Sequence, residues 1–591
     1  MKFLRDIFSL DLRSLALFRI GLALVILGDL AVRATDLVAH YTDFGVLPRG
    51  IFLEQFSNQW HFSLYFISGT AWFQVFLMVV AALFAFGLLF GYKTRLVTFL
   101  SWIFLISIQS RNPMILQGGD MLLHMLVFWA MFLPLGAYYS VDSALDDSAQ
   151  KKPSQILSIG TIALYIQFLL FYWFSVIYKT GYEWWGDGTA VYYALNADHH
   201  ATAFGHFLLA NASPLFLQTL TYVTLLIEIL GPALLVLTGI SSRARFGVVV
   251  LFILMHIGFS SALELGIFPW VSSLYMLAFL PSWMWEAFHR RAKRKQLKIY
   301  YDGDCGFCKK TAYLLKTFLL LVGASLKPAQ SEPKIQRLMK KHHSWVVLDD
   351  KKKTYLKFEA ITLLVAYSPL FWPLTPLLRK KFFQQRGKKW YEWVADHRFI
   401  PGRVTRYLQF RPVVWKSTWL GSLLALFFIV YVTLWNIGDT QRWTLRVPES
   451  MAWIGHTLRI DQQWNMFSPY PMKDDGWFVI PGKLVSGLEL DLFTGNFPPD
   501  YSKPELVSAM YKNFRWDKYM RNISSRDLEK HRLYYGQYLC RNWNSQHDGA
   551  NQLESFEIVF MKEITLPDYQ SSEPIREVLW KHDCFSAPAS E

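Results

Sequence analysis

Ile299-Tyr300-Tyr301-Asp302-Gly303-Asp304-Cys305-Gly306-Phe307-Cys308 is a strand-like run that breaks into a Cys-x-x-Cys at the head of a helix. The spacing has a physical purpose. Unpaired amides and the helix macrodipole stabilise the first thiolate, while the second thiol waits one turn away to close a disulfide. Cys305 is therefore read as the attacking thiol and Cys308 as the resolving one. Half of a zinc site and two inert cysteines are the competing readings. Zinc is disfavoured because this block holds no second Cys pair and His342-His343 are adjacent. No metal is expected.

Working outward, the chain before this dithiol is of membrane grade. Of 591 residues, 53% are hydrophobic, 17% aromatic and only 18% charged, a balance unusual for a soluble enzyme. The net charge of +15 is uneven: residues 290–416 hold 29 Lys/Arg against 8 Asp/Glu, so the remainder is net acidic. A basic block between apolar segments fits the positive-inside rule and anionic headgroups, and no nucleic-acid partner is expected. The lipid bilayer is the expected partner.

Apolar segments long enough to cross ~30 Å of hydrocarbon fall near 12–33, 70–91, 95–112, 120–138, 155–179, 214–240, 244–263, 266–285 and 417–437. The expected fold is thus a polytopic α-helical membrane protein of about nine spans, the first uncleaved. Basic residues cluster in alternate loops: Lys2, Arg5 and Arg13, then Lys93 and Arg95, Lys151 and Lys152, Arg243 and Arg245, and the run from Arg290 to Lys295. This places the N-terminus and the dithiol in the cytoplasm, and everything after the last span outside. A bacterial inner membrane is the expected location.

Four regions follow: a transmembrane unit over 1–289, an inserted α/β unit over 290–415, a last span over 416–437, and an extracytoplasmic β-rich unit over 438–591. In the insert, strands at 297–301, near Ser325, at 344–348 and at 354–357 alternate with helices from Cys305 to about Leu321 and over 333–341, a thioredoxin-like size and pattern. In the last unit, alternation around Trp477 and from Leu484 to Leu492 reads as strands. Cys540 and Cys584 lie there in expected oxidising space. Paired, they close a loop worth roughly 2 to 4 kcal/mol; two free thiols are the alternative.

Ionisable residues at hydrocarbon depth are costly and face a cavity or a partner. Arg19, Asp29, Asp120, His124, Lys179, Glu228, His256 and Glu264 are such residues. Arg19, Asp120, His124, Glu228 and His256 are taken as substrate-pocket candidates, with structural pairing as their bland counterpart. Lys179, beside Tyr178 and Trp184-Trp185, reads on pattern alone as an interfacial anchor.

Tyr301 to Cys308 resembles the signature of the DCC thiol-disulfide oxidoreductase family, small thioredoxin-like domains, over about 115 residues. The resemblance implies redox capability and a cytoplasmic thiol reductant as partner. It carries Asp302, Gly303 and Asp304 with the thiols. An acidic neighbour raises a thiolate pKa, so proton handling and helix capping by Asp304 both stand.

Residues 5–285 resemble the horizontally transferred transmembrane domain family, which includes vitamin K-dependent γ-glutamyl carboxylase. The segments are Leu17-Phe18-Arg19-Ile20-Gly21 with Asp29, Gly45-Val46-Leu47-Pro48-Arg49, Gly91-Tyr92-Lys93-Thr94-Arg95, Arg111-Asn112-Pro113 leading to Asp120, and Ser140-Val141-Asp142. The resemblance implies that Lys179, followed five residues later by Trp184, is the base that deprotonates a hydroquinone. A quinone or quinol, vitamin K-like in type, is then the expected cofactor. The insert departs from the eukaryotic carboxylase, and quinol chemistry carries over more readily than γ-carboxylation. Gln463 to Pro471 resembles an aromatic-Pro motif found after the last span in bacterial members and is read as a rigid interfacial collar.

Two functions follow. One is a membrane oxidoreductase or carboxylase-like enzyme using a quinol at Lys179 with a cytoplasmic dithiol. The other is a non-enzymatic transporter or assembly factor whose insert senses redox state.

Overall fold

The structure is a computed structural model; it describes residues 2–56, 60, 62–148, 152–238, 241–293, 296–567 and 570–585. Six helices among these are long and apolar enough to cross a membrane: Leu12–Ala34, Ala71–Phe90, Ile159–Tyr178, Pro214–Leu237, Ser242–Ala262 and Trp419–Asp439. They are the first to sixth spanning helices below.

Three further segments expected to span are helical but different in kind. Thr94–Arg111 has 18 residues and is interrupted by polar side chains that face the core, among them Ser101, Ser107 and Gln109. Gly118–Ala130 has 13 residues and Phe268–Leu277 has 10. At 1.5 Å per residue these reach ~20 Å and ~15 Å, short of the hydrocarbon thickness. Gly118–Ala130 is nonetheless apolar because nearly all of it is buried inside the bundle. Hydropathy read from sequence does not separate burial in protein from burial in lipid.

At one end of the bundle Asp11 caps the first span and pairs with Arg13 at 2.5 Å. Arg19 belongs to this end. Its guanidinium donates to the carbonyls of Leu89 (3.4 Å), Leu135 (3.2 Å) and Tyr139 (2.7 Å), filling acceptors that helix ends leave open. The inserted unit sits here too, because Arg411 pairs with Asp142 at 2.9 Å and Tyr92 donates to the Tyr407 carbonyl.

That insert has a four-stranded sheet in the order Ala324–Pro328, Leu297–Tyr301, Val346–Leu348, Thr354–Leu356. The first pair is parallel and the others antiparallel. Helices Gly306–Phe318 and Pro333–His342 link the strands. Helices Lys357–Tyr367 and Lys381–Asp396 follow them.

The opposite end of the bundle carries the C-terminal part. A 14-residue strand, Leu553–Leu566, pairs antiparallel with Asp474–Val479, Pro481–Leu484 and Ile575–Asp583. Two helices, Phe514–Ser524 and His531–Asn544, make this part α+β instead of simply β-rich. Cys540 on the second helix is disulfide-bonded to Cys584.

Four buried charges join this part to the bundle. Arg33 donates to Asp29 (2.7 Å), Asp120 (2.6 Å) and the Tyr41 hydroxyl (2.6 Å). Arg515, from helix Phe514–Ser524, reaches in to bond Asp29 and Asp120. Two guanidinium groups and two carboxylates balance in charge. Removing one partner leaves an uncompensated buried charge, which costs far more than a surface pair. We therefore expect Arg515→Met to lower stability by about 3 to 5 kcal/mol, seen as a lower denaturation midpoint of the detergent-solubilised protein. An unchanged midpoint would show that the network contributes nothing to the fold.

Candidate functional site

Two sets of side chains carry chemistry, one at each end of the bundle. The first is the dithiol. Strand Leu297–Tyr301 delivers the chain to a turn fixed by Gln330, whose side chain accepts from the Gly303 amide (3.1 Å) and donates to Asp302 (3.0 Å) and Asp304 (3.1 Å). A Cβ on residue 303 would lie 2.9 Å from the Gln330 oxygen and 3.2 Å from Pro328 Cβ, so the turn packs closely on this side. Cys305 is itself the N-cap of helix Gly306–Phe318, its Sγ accepting from the Cys308 amide at 3.3 Å. Capping by Asp304 is thereby displaced, since its carboxylate is held by Gln330.

Both thiols are free. A hydrogen bond from the Cys308 thiol, the Cys308 amide and the Arg398 charge bring Cys305 down to about 6. Burial and Asp302 oppose this without reversing it, so the expected upward push from acidic neighbours is outweighed. The same hydrogen bond, together with burial, drives Cys308 up. Cys305 is partly exposed and Cys308 buried. The pair therefore has one ready nucleophile and one protected thiol.

The second set lines a cavity of about 810 Å³, walled by the third, fourth and fifth spans and by residues of the segment 463–472. Lys179 caps the C-terminal end of the third span. Its ammonium donates to Glu228 Oε2 (2.6 Å) on the fourth span and to Ser175 Oγ (2.8 Å) one turn back, and lies 5.0 Å over the Trp184 ring. Further along the wall, the Tyr172 hydroxyl and His256 Nε2 are 2.7 Å apart. The rest of the lining is mainly apolar, with leucine and phenylalanine the commonest side chains.

Away from Lys179 the same cavity is lined by a second set of nitrogen-bearing side chains, His199, His200, Lys518 and Arg521. His199 bonds Asp475 (2.7 Å), and burial holds His200 below the usual histidine range. Lys518 is brought down to about 8 by burial and by the Arg521 charge. Arg521 pairs with Asp517 at 2.8 Å.

Gln463 to Pro471 forms part of the cavity wall. Trp464 is fully buried, and Met466, Phe467, Tyr470 and Pro471 line the cavity. The segment locks onto the Lys179 loop, with Trp184 donating to the Phe467 carbonyl (3.0 Å) and Gly181 to that of Pro469 (2.9 Å).

Residues 299–402 match the DCC1-like thiol-disulfide oxidoreductase family. This part of the chain is a DCC1-like thiol-disulfide oxidoreductase domain. The match spans well under half of the 591 residues and includes none of the six spanning helices. No curated protein and no solved structure matches the chain.

The DCC1-like domain accounts for Cys305, Cys308, Asp302, Gly303 and Asp304. Of the pocket candidates, Glu228 and His256 share the cavity with Lys179. The other three are placed elsewhere. Asp120 is consumed by Arg33 and Arg515, His124 bonds Gln109 (2.8 Å) inside the bundle, and Arg19 ties helix ends at the DCC1-like end. None of the three lines the cavity that holds Lys179.

Sequence reading passed over Ser175, Tyr172, His199, His200, Lys518 and Arg521. Ser175 and Tyr172 stand four and seven residues before Lys179, on its helical face, and were legible by that spacing. Lys518 and Arg521 gave no signal, because a basic residue on an amphipathic helix reads as solvated. Among the described residues no group of three or more His, Cys, Asp or Glu side chains is arranged to hold a metal.

Alkylation of the reduced protein should follow the Cys305 thiolate, rising through about pH 6 and flat above pH 8, with Cys308 unlabelled on the same timescale. Below pH 6 the thiolate is lost and labelling falls. Arg398→Ala should shift that midpoint upward. Mass spectrometry of the two peptides reads all three, and a Cys305 midpoint at the ordinary thiol value of about 8.5 would contradict the assignment.

Proposed function

We propose that the chain is a membrane-embedded oxidoreductase that acts with a quinol-type lipid-soluble substrate and carries a thiol-disulfide exchange module. The observation that carries this reading is the Lys179–Glu228 pair, 2.6 Å apart, set in the wall of a large and mainly apolar cavity. A pocket of this size suits a ring with an apolar tail, and its few convergent polar groups suit a ring hydroxyl.

At Lys179 the proposed step is a proton transfer. Lys179 first passes a proton to the Glu228 carboxylate 2.6 Å away; the free amine then takes the proton of the bound quinol hydroxyl, leaving the quinolate beside the re-formed ammonium and Glu228 in its neutral acid form. Ser175 and the Trp184 face orient the amine, and the apolar lining excludes water from it. An apolar wall supports a lipid-soluble ligand over a polar transport path.

At the DCC1-like domain the proposed step is exchange. The Cys305 thiolate attacks a substrate disulfide, forming a mixed disulfide and releasing one substrate thiolate. Cys308 then loses its proton and attacks Cys305, closing the protein disulfide and releasing the second thiolate. Two electrons pass from the protein dithiol to the substrate. A cytoplasmic thiol reductant resets the pair, with the C-terminal part on the other side of the membrane, in keeping with the basic loops around residues 290–416.

Lys179→Ala, assayed as quinol oxidation by an added two-electron acceptor in proteoliposomes, should lose at least about 10²-fold in turnover, the usual yield of a positioned base. Glu228→Gln should lower turnover as well. Cys305→Ser should abolish disulfide exchange, while Lys179→Ala leaves exchange intact. Unchanged quinol turnover in Lys179→Ala eliminates the base assignment.

A further inference from the structure

The DCC1-like domain carries a helix with a row of largely exposed aromatic side chains on its outer face. On Lys381–Asp396, Phe382, Arg386, Trp390 and Trp393 follow one another at steps of four, four and three residues, which stacks them on one face. Phe382 is 55% exposed, Trp390 69% and Trp393 47%, and Phe399 just beyond the helix is 61% exposed. Large aromatic side chains exposed in a row mark a surface that something apolar covers.

The opposite face is tied down. A Cβ at Gly387 would lie 2.4 Å from the Phe358 ring, so the helix closes on the domain at that glycine. Tyr391 accepts from the Trp345 amide (2.9 Å), Gln384 donates to Thr362 (2.9 Å), and Glu392 pairs with Lys357 (2.6 Å). The aromatic face is therefore held outward by the fold.

Charge selects the occupant. Between residues 379 and 411 there are ten Lys/Arg and two Asp/Glu. Position selects it as well. The same stretch runs on to the end of the spanning bundle, where Tyr92 donates to the Tyr407 carbonyl and Arg95 to those of Val414 and Lys416. Trp419, 79% exposed, then opens the sixth span. A basic helix with aromatic residues on its free face, joined by about two dozen residues to a membrane span, has the composition of an interfacial helix.

We infer that helix Lys381–Asp396 docks on the bilayer surface, seating Phe382, Trp390 and Trp393 among the headgroups and its lysines and arginines on anionic lipid. Through Tyr391, which bonds the Trp345 strand, and through Arg398, 3.5 Å from Asp302, the docked helix fastens the dithiol turn to the membrane surface. Docking itself requires no redox chemistry, so it stands or falls separately from the exchange reaction.

Amide hydrogen exchange of the full chain in nanodiscs tests this. Peptides over 381–396 should exchange roughly tenfold or more slowly in phosphatidylcholine discs containing phosphatidylglycerol than in phosphatidylcholine alone. Trp390→Ser with Trp393→Ser should abolish that protection, and Lys388→Glu with Lys389→Glu should remove its lipid dependence. Unchanged Cys305 alkylation in these variants confirms that the domain remains folded. Equal exchange in both lipids, or protection in detergent that grows with protein concentration and so reports a second copy of the chain, overturns the inference. Loss of soluble disulfide reduction in the unaltered protein would instead remove the exchange reading and leave docking intact.

Discussion

Arg515 is the tie on which the rest of the molecule depends. It leaves a helix of the C-terminal part, enters the bundle, and meets Asp29 and Asp120, which already share Arg33. Two carboxylates in apolar surroundings with a single guanidinium between them would be left with excess negative charge, and desolvation makes that intolerable. The C-terminal part is therefore no appendage. A second chain of polar contacts runs beside the first, from Trp129 through Gln167 and Gln462 to Trp464, and uses the same two parts of the sequence. Together they set the position of the segment that completes the cavity.

Much of this was legible in the residues, and the exceptions share one cause. The order of strands and helices in the DCC1-like domain follows from alternation and turn residues, which are local signals, and the strand at 297–301 and helix at 333–342 fall close to where that pattern puts them. Lys179, Glu228 and His256 stood out as costly residues in apolar runs, and the fold brings them to one cavity. Asp120, His124 and Arg19 stood out for the same reason yet serve the scaffold. Cost alone announces that a buried charge has a partner; it does not say whether the partner is a ligand or another residue. Arg515, Lys518 and Arg521 were silent because their burial arises from docking between segments some 400 residues apart in sequence, which no window of local pattern contains.

The two reactive ends differ in how they are built. The dithiol is made within about a hundred residues: one strand, one turn held by Gln330, and one helix. Its reactivity comes from a hydrogen bond between neighbours and a helix terminus, both properties of local geometry. The Lys179 cavity has no such independence. Its lysine comes from the end of the third span, its carboxylate from the fourth, its histidine from the fifth, and one wall from the segment after the sixth. A module of the first kind can be inserted into a chain without rebuilding it, whereas a site of the second kind belongs to the whole.

The wall supplied by Gln463 to Pro471 has a consequence for biogenesis. A polypeptide emerges from the ribosome in order, so spans three, four and five are threaded into the bilayer long before this stretch exists. Until Trp464 is buried and Phe467 and Pro469 seize the loop after Lys179, the cleft holding the lysine and its carboxylate lacks one side. The strand, turn and helix of the dithiol precede that stretch in the chain, whereas the cleft around the lysine is walled on its last side only by the final quarter of the sequence.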